Sequence, residues 1–280
     1  MEIFNFSAAE TARFNRALTF IHRKEVDPDL LGANTLIVKT ENFEDECEQL
    51  APYYSSLGLE NRNARLVFNP TKGGGHKILI NKAAISGLSY IHTMVTQLVH
   101  LAHLVPYNAE HGNIYRFSQE QGIQCHYYEF LLWTKLQAMR ISTRAHALVS
   151  WHEVNGVNPP ESGCYQFAEV DFHSEGVAAS LEQLQRAETI AAWREGLWDV
   201  LEELTLYFGR LAFYQQTARP QELDRTFPTT AIEQMVGLDN CLAFSAILQQ
   251  ATDYPSWQEQ KHTIRRVIVA MQEHGKALFA

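Results

Sequence analysis

The sequence of 280 residues has no run of about 18 apolar residues, so no membrane-spanning helix is expected. Cysteine is scarce: Cys47, Cys125, Cys164 and Cys241 are scattered and form no Cys-x-x-Cys pair, which argues against a zinc ribbon and against a disulfide framework. The N-terminal segment also lacks the basic start and the apolar stretch of a secretory signal. We therefore expect free thiols in a reducing cytoplasm.

Basic residues are outnumbered, with 23 Lys and Arg against 32 Asp and Glu and a formal net charge of −9. This balance disfavours nonspecific attraction to nucleic acid or to anionic lipid. The sequence also has no Gly-x-Ser-x-Gly motif, no phosphate-binding loop and no dinucleotide fingerprint, so it gives no support for a function as a serine hydrolase or a dehydrogenase. The partner that we expect is a protein, and the oligomeric state is left open.

The residue pattern predicts an α+β fold that is predominantly helical, with a small sheet in the N-terminal half. Ser7 followed by Glu10 is the capping-box signature of a first helix. Three short apolar runs predict strands, and the last two are joined across the glycine-rich segment TKGGG. These runs are NTLIVKT (34–40), ARLVFNP (64–70) and HKILINK (76–82).

The chain divides by composition into three parts. Residues 1–150 carry the predicted strands and form the first domain. Residues 151–175 contain NGVNPPESG, whose density of Gly, Pro, Asn and Ser is typical of a connecting loop. Residues 176–280 have helical patterns throughout, and we expect them to form an all-helical domain packed on the first.

The richest pattern is a long helix predicted from Ala83 to Leu104, with Pro106 as its end. Positions separated by four, eight and eleven residues share one face of a helix. On that face the sequence places His92, His100 and His103, together with Thr96. Three imidazoles on one stripe make this helix the first place to look for chemistry.

The segment TQLVH (96–100) has the register of the zinc-binding pattern His-Glu-x-x-His, in which two imidazoles hold the metal and the Glu takes a proton from metal-bound water. A strand precedes it and HGNIY (111–115) follows it. Over about residues 60 to 120 the chain thus resembles the zincin metalloproteases of the SprT and Spartan type and their phage relatives. The resemblance implies a zincin-like N-terminal half, a bacterial or phage context, and zinc ligation by His100 and His111.

The chain departs from that family at two functional positions. Thr96 stands where the first ligand histidine belongs, and Thr is a poor zinc ligand. Gln97 stands at the position of the general base, and a carboxamide has no useful basicity. We expect Gln97 to be a polar residue satisfied by a backbone group, and we assign no catalytic residue.

Two matching ligands remain where a zinc site needs three. Glu129, in the aromatic helix HYYEFLLWTKLQAM, could supply an oxygen, as a glutamate on a following helix does in other zincins. A neighbouring histidine, His92 or His103, could instead supply a nitrogen. The candidate metal ligands are therefore His100, His111 and Glu129.

Three functions follow from these patterns. The leading expectation is a catalytically degenerate metalloprotease-like protein that acts as a binding or scaffolding module and needs no cofactor. The alternative is an active zinc-dependent peptidase with an altered metal site. The second alternative is a helical protein-interaction protein unrelated to zincins.

Overall fold

The structure, a computed structural model, describes residues 1–26, 34–54, 56–159, 174–217 and 227–279. Helices make up 68 % of it, and the remainder includes a four-stranded mixed sheet. The predicted α+β, predominantly helical class is therefore confirmed at this level.

The elements follow one another along the chain with the sheet strands first. The strands are β1 (Glu2–Phe4), β2 (Thr35–Thr40), β3 (Ala64–Val67) and β4 (His76–Asn81). The helices are α1 (Ala8–Thr19), α2 (Phe43–Leu50), α3 (Ser89–His111), α4 (Gln119–Gln124), α5 (Tyr127–Asn155), α6 (Ser174–Gln185), α7 (Ile190–Thr217), α8 (Thr229–Met235), α9 (Leu238–Gln250) and α10 (Tyr254–Lys276). Short 3-10 turns occupy 82–84, 114–116 and 277–279.

The sheet has the strand order β1-β2-β4-β3. The pairs β1–β2 and β2–β4 are parallel, whereas β3 and β4 are antiparallel and are joined through the glycine-rich loop. Gly73 adopts a φ of +75° in that loop, a conformation that glycine reaches without strain. All three predicted strands are present. The side chains of β2 alternate between buried and half-buried from Thr35 to Val38, whereas β4 buries the three consecutive residues Ile78, Leu79 and Ile80.

The capping box of α1 forms as predicted. The Ser7 hydroxyl accepts the Glu10 backbone N–H, and the Glu10 carboxylate accepts the Ser7 backbone N–H at 2.7 Å. Glu10 also pairs with Lys39 of β2 at 2.8 Å. One carboxylate therefore both starts the helix and ties it to the sheet.

The predicted limits of α3 are wrong at both ends. The helix begins at Ser89 instead of Ala83, after a 3-10 turn, and it continues through Pro106 to His111. Proline removes one helical hydrogen bond, but Leu104 and Tyr107 on either side of it are fully buried. Packing thus outweighs the lost bond, and Gly112, at a φ of +88°, ends the helix instead.

Helix α5 extends to Asn155, well beyond the aromatic segment HYYEFLLWTKLQAM that indicated it in the sequence. Its later turns continue to bury apolar side chains, including Ile141, Ala145 and Val149. Gly156, at a φ of +70°, provides the left-handed stop.

The chain forms two compact units. The first comprises Met1–Thr134 and Ile141–Glu161, and the second comprises Lys135–Arg140 and Ser162–Ala280. The first unit contains the sheet and α1 to α4, and α5 contributes residues to both. The predicted domain limits at residues 150 and 176 remain a prediction.

The second unit is helical in the part that the structure describes. Helix α7 buries Trp193, Leu197, Leu201 and Leu204 while Glu195 is exposed, so it is amphipathic. Within the described residues no single helix has both the length and the apolarity to cross a membrane. Helices α8 and α9 reach that length and apolarity only together, and they are bent by 99°.

Candidate functional site

The histidine stripe of α3 faces α5 within the first unit. His92, at the start of the stripe, is half-buried, and its Nε2 lies 3.0 Å from the Ser142 hydroxyl. Its ring centroid lies 6.4 Å from that of His146. Ser142 is fully buried, so its hydroxyl has no surface open to a substrate.

His100 and His103 meet at one hydroxyl group on α5. The Nδ1 atoms of His100 and His103 lie 3.1 Å and 2.8 Å from Thr134 Oγ1. Both imidazoles are only 3 % exposed and Thr134 is fully buried. We call these three residues the His–Thr cluster. Trp133 covers one side of it, with its ring stacked on His103 at 4.2 Å between centroids.

The hydroxyl of Thr134 limits the protonation of its two partners. It has one proton to donate, so at least one of the two Nδ1 atoms must carry a proton and donate to it. A neutral imidazole protonated at Nδ1 presents Nε2 as its acceptor, which is the orientation that metal-bound histidines also use. The His–Thr cluster can therefore orient an imidazole, and its burial excludes bulk water.

Thr96 and Gln97 lie one turn earlier on α3 and are also buried. Thr96 is 9 % exposed and Gln97 is fully buried. Among the described residues, neither Thr96 Oγ1 nor either polar atom of the Gln97 amide has a hydrogen-bond partner. The expectation that a backbone group satisfies Gln97 is therefore wrong for the part of the chain that the structure describes. The backbone N–H groups in the interior of a helix already donate to carbonyls one turn earlier, so they are not available to the Gln97 side-chain oxygen.

His111 lies in the last turn of α3, away from the His–Thr cluster. Its Nε2 lies 3.5 Å from Glu110 Oε1, and its ring packs 4.6 Å from that of Tyr107. Eleven residues of one continuous helix separate His100 from His111, which is about 16 Å along the axis. Two imidazoles on such a helix do not reach a common ion.

Glu129 lies in the first turn of α5, where the helix dipole favours a negative charge. It is 4 % exposed, and its Oε2 lies 3.7 Å from His126 Nδ1. Among the described residues, no three His, Cys, Asp or Glu side chains are grouped closely enough to hold a metal ion. Zinc shared by His100, His111 and Glu129 would require α3 to break between the two histidines, and this ligand set stays a prediction.

The residue that sequence reasoning missed is Thr134. Its one local signal is a hydroxyl within the apolar face of α5, between the buried Phe130 and Leu136. That pattern marks a buried polar group, but it does not identify a partner 34 residues earlier in the chain.

A separate cavity of about 530 Å³ opens in the first unit. Three segments form its walls: residues 51–54 after α2, residues 69–71 after β3, and the turn that carries Asn113, Tyr115 and Arg116. The third wall belongs to the segment that the zincin resemblance assigned to a metal ligand.

Comparison of the chain with protein-family models, with curated proteins and with solved structures found no match. The resemblance to zincins therefore depends on the residues of segments 96–100 and 111–115 alone. The buried polar groups of α3 and the surface cavity are the two features on which a functional proposal can be based.

Proposed function

We propose that the protein is a metalloprotease-like binding module without hydrolytic activity, in which α3 keeps the position of a zinc helix but not its chemistry. One observation carries the proposal: Gln97, at the position of the general base, is a carboxamide with no exposed surface. A general base must reach the water that it activates and must accept its proton. Gln97 meets neither condition.

The surroundings of Gln97 support the same proposal. The Nδ1 atoms of His100 and His103 are both committed to Thr134, in a cluster from which bulk solvent is excluded. Interior hydrogen bonds of this kind fix side chains and stabilise the packing of α3 on α5. The histidines then have a structural role in the first unit, and the binding function belongs to the surface of that unit.

The partner that we propose is a protein in a reducing cytoplasm. The formal charge of −9 disfavours phosphate backbones and anionic lipid as general partners. Of the described cysteines, Cys47 and Cys241 are free thiols.

Zinc content tests the proposal directly. We expect the purified, dialysed wild-type protein to contain less than about 0.1 zinc per chain by elemental analysis, since His100 and His111 lie too far apart along α3 to share an ion and a zinc site needs three protein ligands. The variant Thr96→His/Gln97→Glu restores the first ligand and the base. Its matched control carries the same two changes together with His100→Ala, which removes the second ligand.

The possible results separate the proposal from its alternatives. Stoichiometric zinc in the wild type, with peptide cleavage, would overturn the proposal and favour the active peptidase. Zinc gained by the double variant and lost in the His100→Ala control would support descent from a zinc helix. No gain in a double variant that stays folded would favour the helical interaction protein unrelated to zincins.

A further inference from the structure

The cavity of the first unit has the size and the walls of a small-molecule site. Its volume of about 530 Å³ lies within the range of about 300–1,000 Å³ that ligand pockets commonly have. Tyr53, Tyr54 and Tyr115 give it aromatic surface, and Arg116 gives it a charge. Its lining contains no carboxylate among the described residues.

Hydrogen bonds from residues outside the lining hold the first two walls in place. Arg65 donates to the carbonyl oxygens of Cys47 and Tyr54 at 3.2 Å and 2.6 Å, which fixes the end of the first wall. Asn108 donates to the Pro70 carbonyl at 3.1 Å, which fixes the second. A ligand would therefore enter a site that is already shaped, and little ordering would oppose its binding.

The third wall is fixed by two further hydrogen bonds. The Tyr115 hydroxyl accepts the Phe68 backbone N–H at 3.1 Å, and the Asn113 side-chain oxygen accepts the Tyr115 N–H at 3.1 Å. The rings of Tyr54 and Tyr115 meet edge to face at 5.6 Å between centroids. These contacts hold the turn that carries Arg116.

The charges around the cavity favour an anion. Arg116 is exposed, and its guanidinium has no ion-pair or hydrogen-bond partner among the described residues. The carboxylate of Glu60 accepts hydrogen bonds from the Ser56 hydroxyl and from the backbone N–H groups of Leu57 and Leu59, and Glu60 is not among the residues that line the cavity. A free guanidinium beside aromatic walls presents paired donors to a carboxylate or a phosphate.

We propose that this cavity binds a small anionic ligand that contains a flat ring, with its carboxylate or phosphate at Arg116 and its ring against the exposed face of Tyr53. Tyr53 is 77 % exposed, so its ring offers an open apolar surface. The proposal concerns a different part of the first unit from the His–Thr cluster, and it does not depend on zincin descent.

Ligand-observed NMR titration of the full chain tests this site with four probes. They are benzoate, phenyl phosphate, the neutral benzamide and inorganic phosphate. We expect benzoate or phenyl phosphate to bind with a dissociation constant of about 1 mM, as suits ligands of this size. Benzamide and inorganic phosphate should each bind at least about tenfold more weakly, since each lacks one of the two recognised features.

Variants locate the binding. Arg116→Met should weaken binding of the preferred anion at least about tenfold, and Tyr53→Ala should weaken it about fivefold. Arg62→Met is the matched control, because Arg62 is also exposed, lies in the same unit and has no ion-pair partner among the described residues. Circular dichroism confirms that each variant is folded.

Several results would overturn the site. These are no binding of either aromatic anion up to about 10 mM, equal binding of benzamide, equal binding of inorganic phosphate, or equal loss in the Arg116→Met and Arg62→Met variants. A preference for phenyl phosphate over benzoate assigns the anion as a phosphate, and the reverse order assigns it as a carboxylate.

Discussion

Replacing Thr134 by Val removes one hydroxyl group from the His–Thr cluster and leaves the shape of the side chain nearly unchanged. The hydroxyl contacts two buried Nδ1 atoms at 3.1 Å and 2.8 Å. With Val at position 134, both nitrogens lose that partner in a place that bulk water does not reach. The protein should therefore be less stable, mainly through polar groups left unsatisfied.

The size of the effect follows from the burial of the cluster. A buried polar group that loses its hydrogen bond costs about 1–3 kcal/mol, and two such groups lose one here. Since the imidazoles can shift slightly to recover part of this, we expect a decrease of about 2–4 kcal/mol in the free energy of unfolding. With a urea dependence of about 3 kcal/mol per molar, the midpoint of unfolding would fall by about 1 M.

Urea unfolding followed by circular dichroism measures this change, with two control variants. Thr134→Ser keeps the hydroxyl and loses one methyl group, so it should cost only about 1 kcal/mol. Thr93→Val removes a buried hydroxyl whose one hydrogen bond within the described part of the chain is to the Ser89 carbonyl of its own helix, at 3.2 Å, and it should also cost less than about 1 kcal/mol. If Thr134→Val stayed within about 0.5 kcal/mol of the wild type, the reasoning about the His–Thr cluster would be refuted.

Two further predictions concern α3 and the sheet. Pro106→Ala restores a helical N–H inside α3 and should raise the free energy of unfolding by about 1–3 kcal/mol; a decrease in the thermal midpoint would show that the proline shapes the helix in a way that packing requires. Burial lowers the pKa of His76 from its ordinary value of 6.5. Its stabilising contribution is therefore complete above pH 6.5 and is lost as the pH falls toward the lowered folded-state pKa, because the unfolded chain binds the proton first. His76→Asn keeps an acceptor for the Asn69 N–H, so it should reduce the change in the free energy of unfolding between about pH 7.5 and pH 5.5. If the free energy of unfolding depended on pH as it does in the wild type, the dependence would belong to other groups.

Features that depend on neighbouring residues could be predicted from the sequence. The capping box needs only Ser7 and Glu10, and both of its hydrogen bonds are present. The strands around the glycine-rich loop need only two short apolar runs and a turn, and β3 and β4 pair as expected. In each case the determining interaction lies within a few positions along the chain.

Features that depend on distant packing could not be predicted. Pro106 is a local stop signal, but buried side chains on both sides of it carry α3 onward to His111. That extension moves His111 away from His100, so one misplaced helix end changes the geometry of the whole candidate metal site. Thr134 was missed for a related reason, since its hydrogen bonds reach 31 and 34 residues back along the chain.

The edges of the sheet have a consequence for self-association. A long, flat outer strand is a template on which a second chain can add its own strand and start an aggregate. Here the outer strands are β1, with three residues, and β3, with four. Strands of this length offer too few unpaired backbone N–H and C=O groups for lasting pairing with a second chain. The first unit should therefore resist aggregation through its sheet edges at high protein concentration, even though the Phe4 side chain at one edge is 47 % exposed.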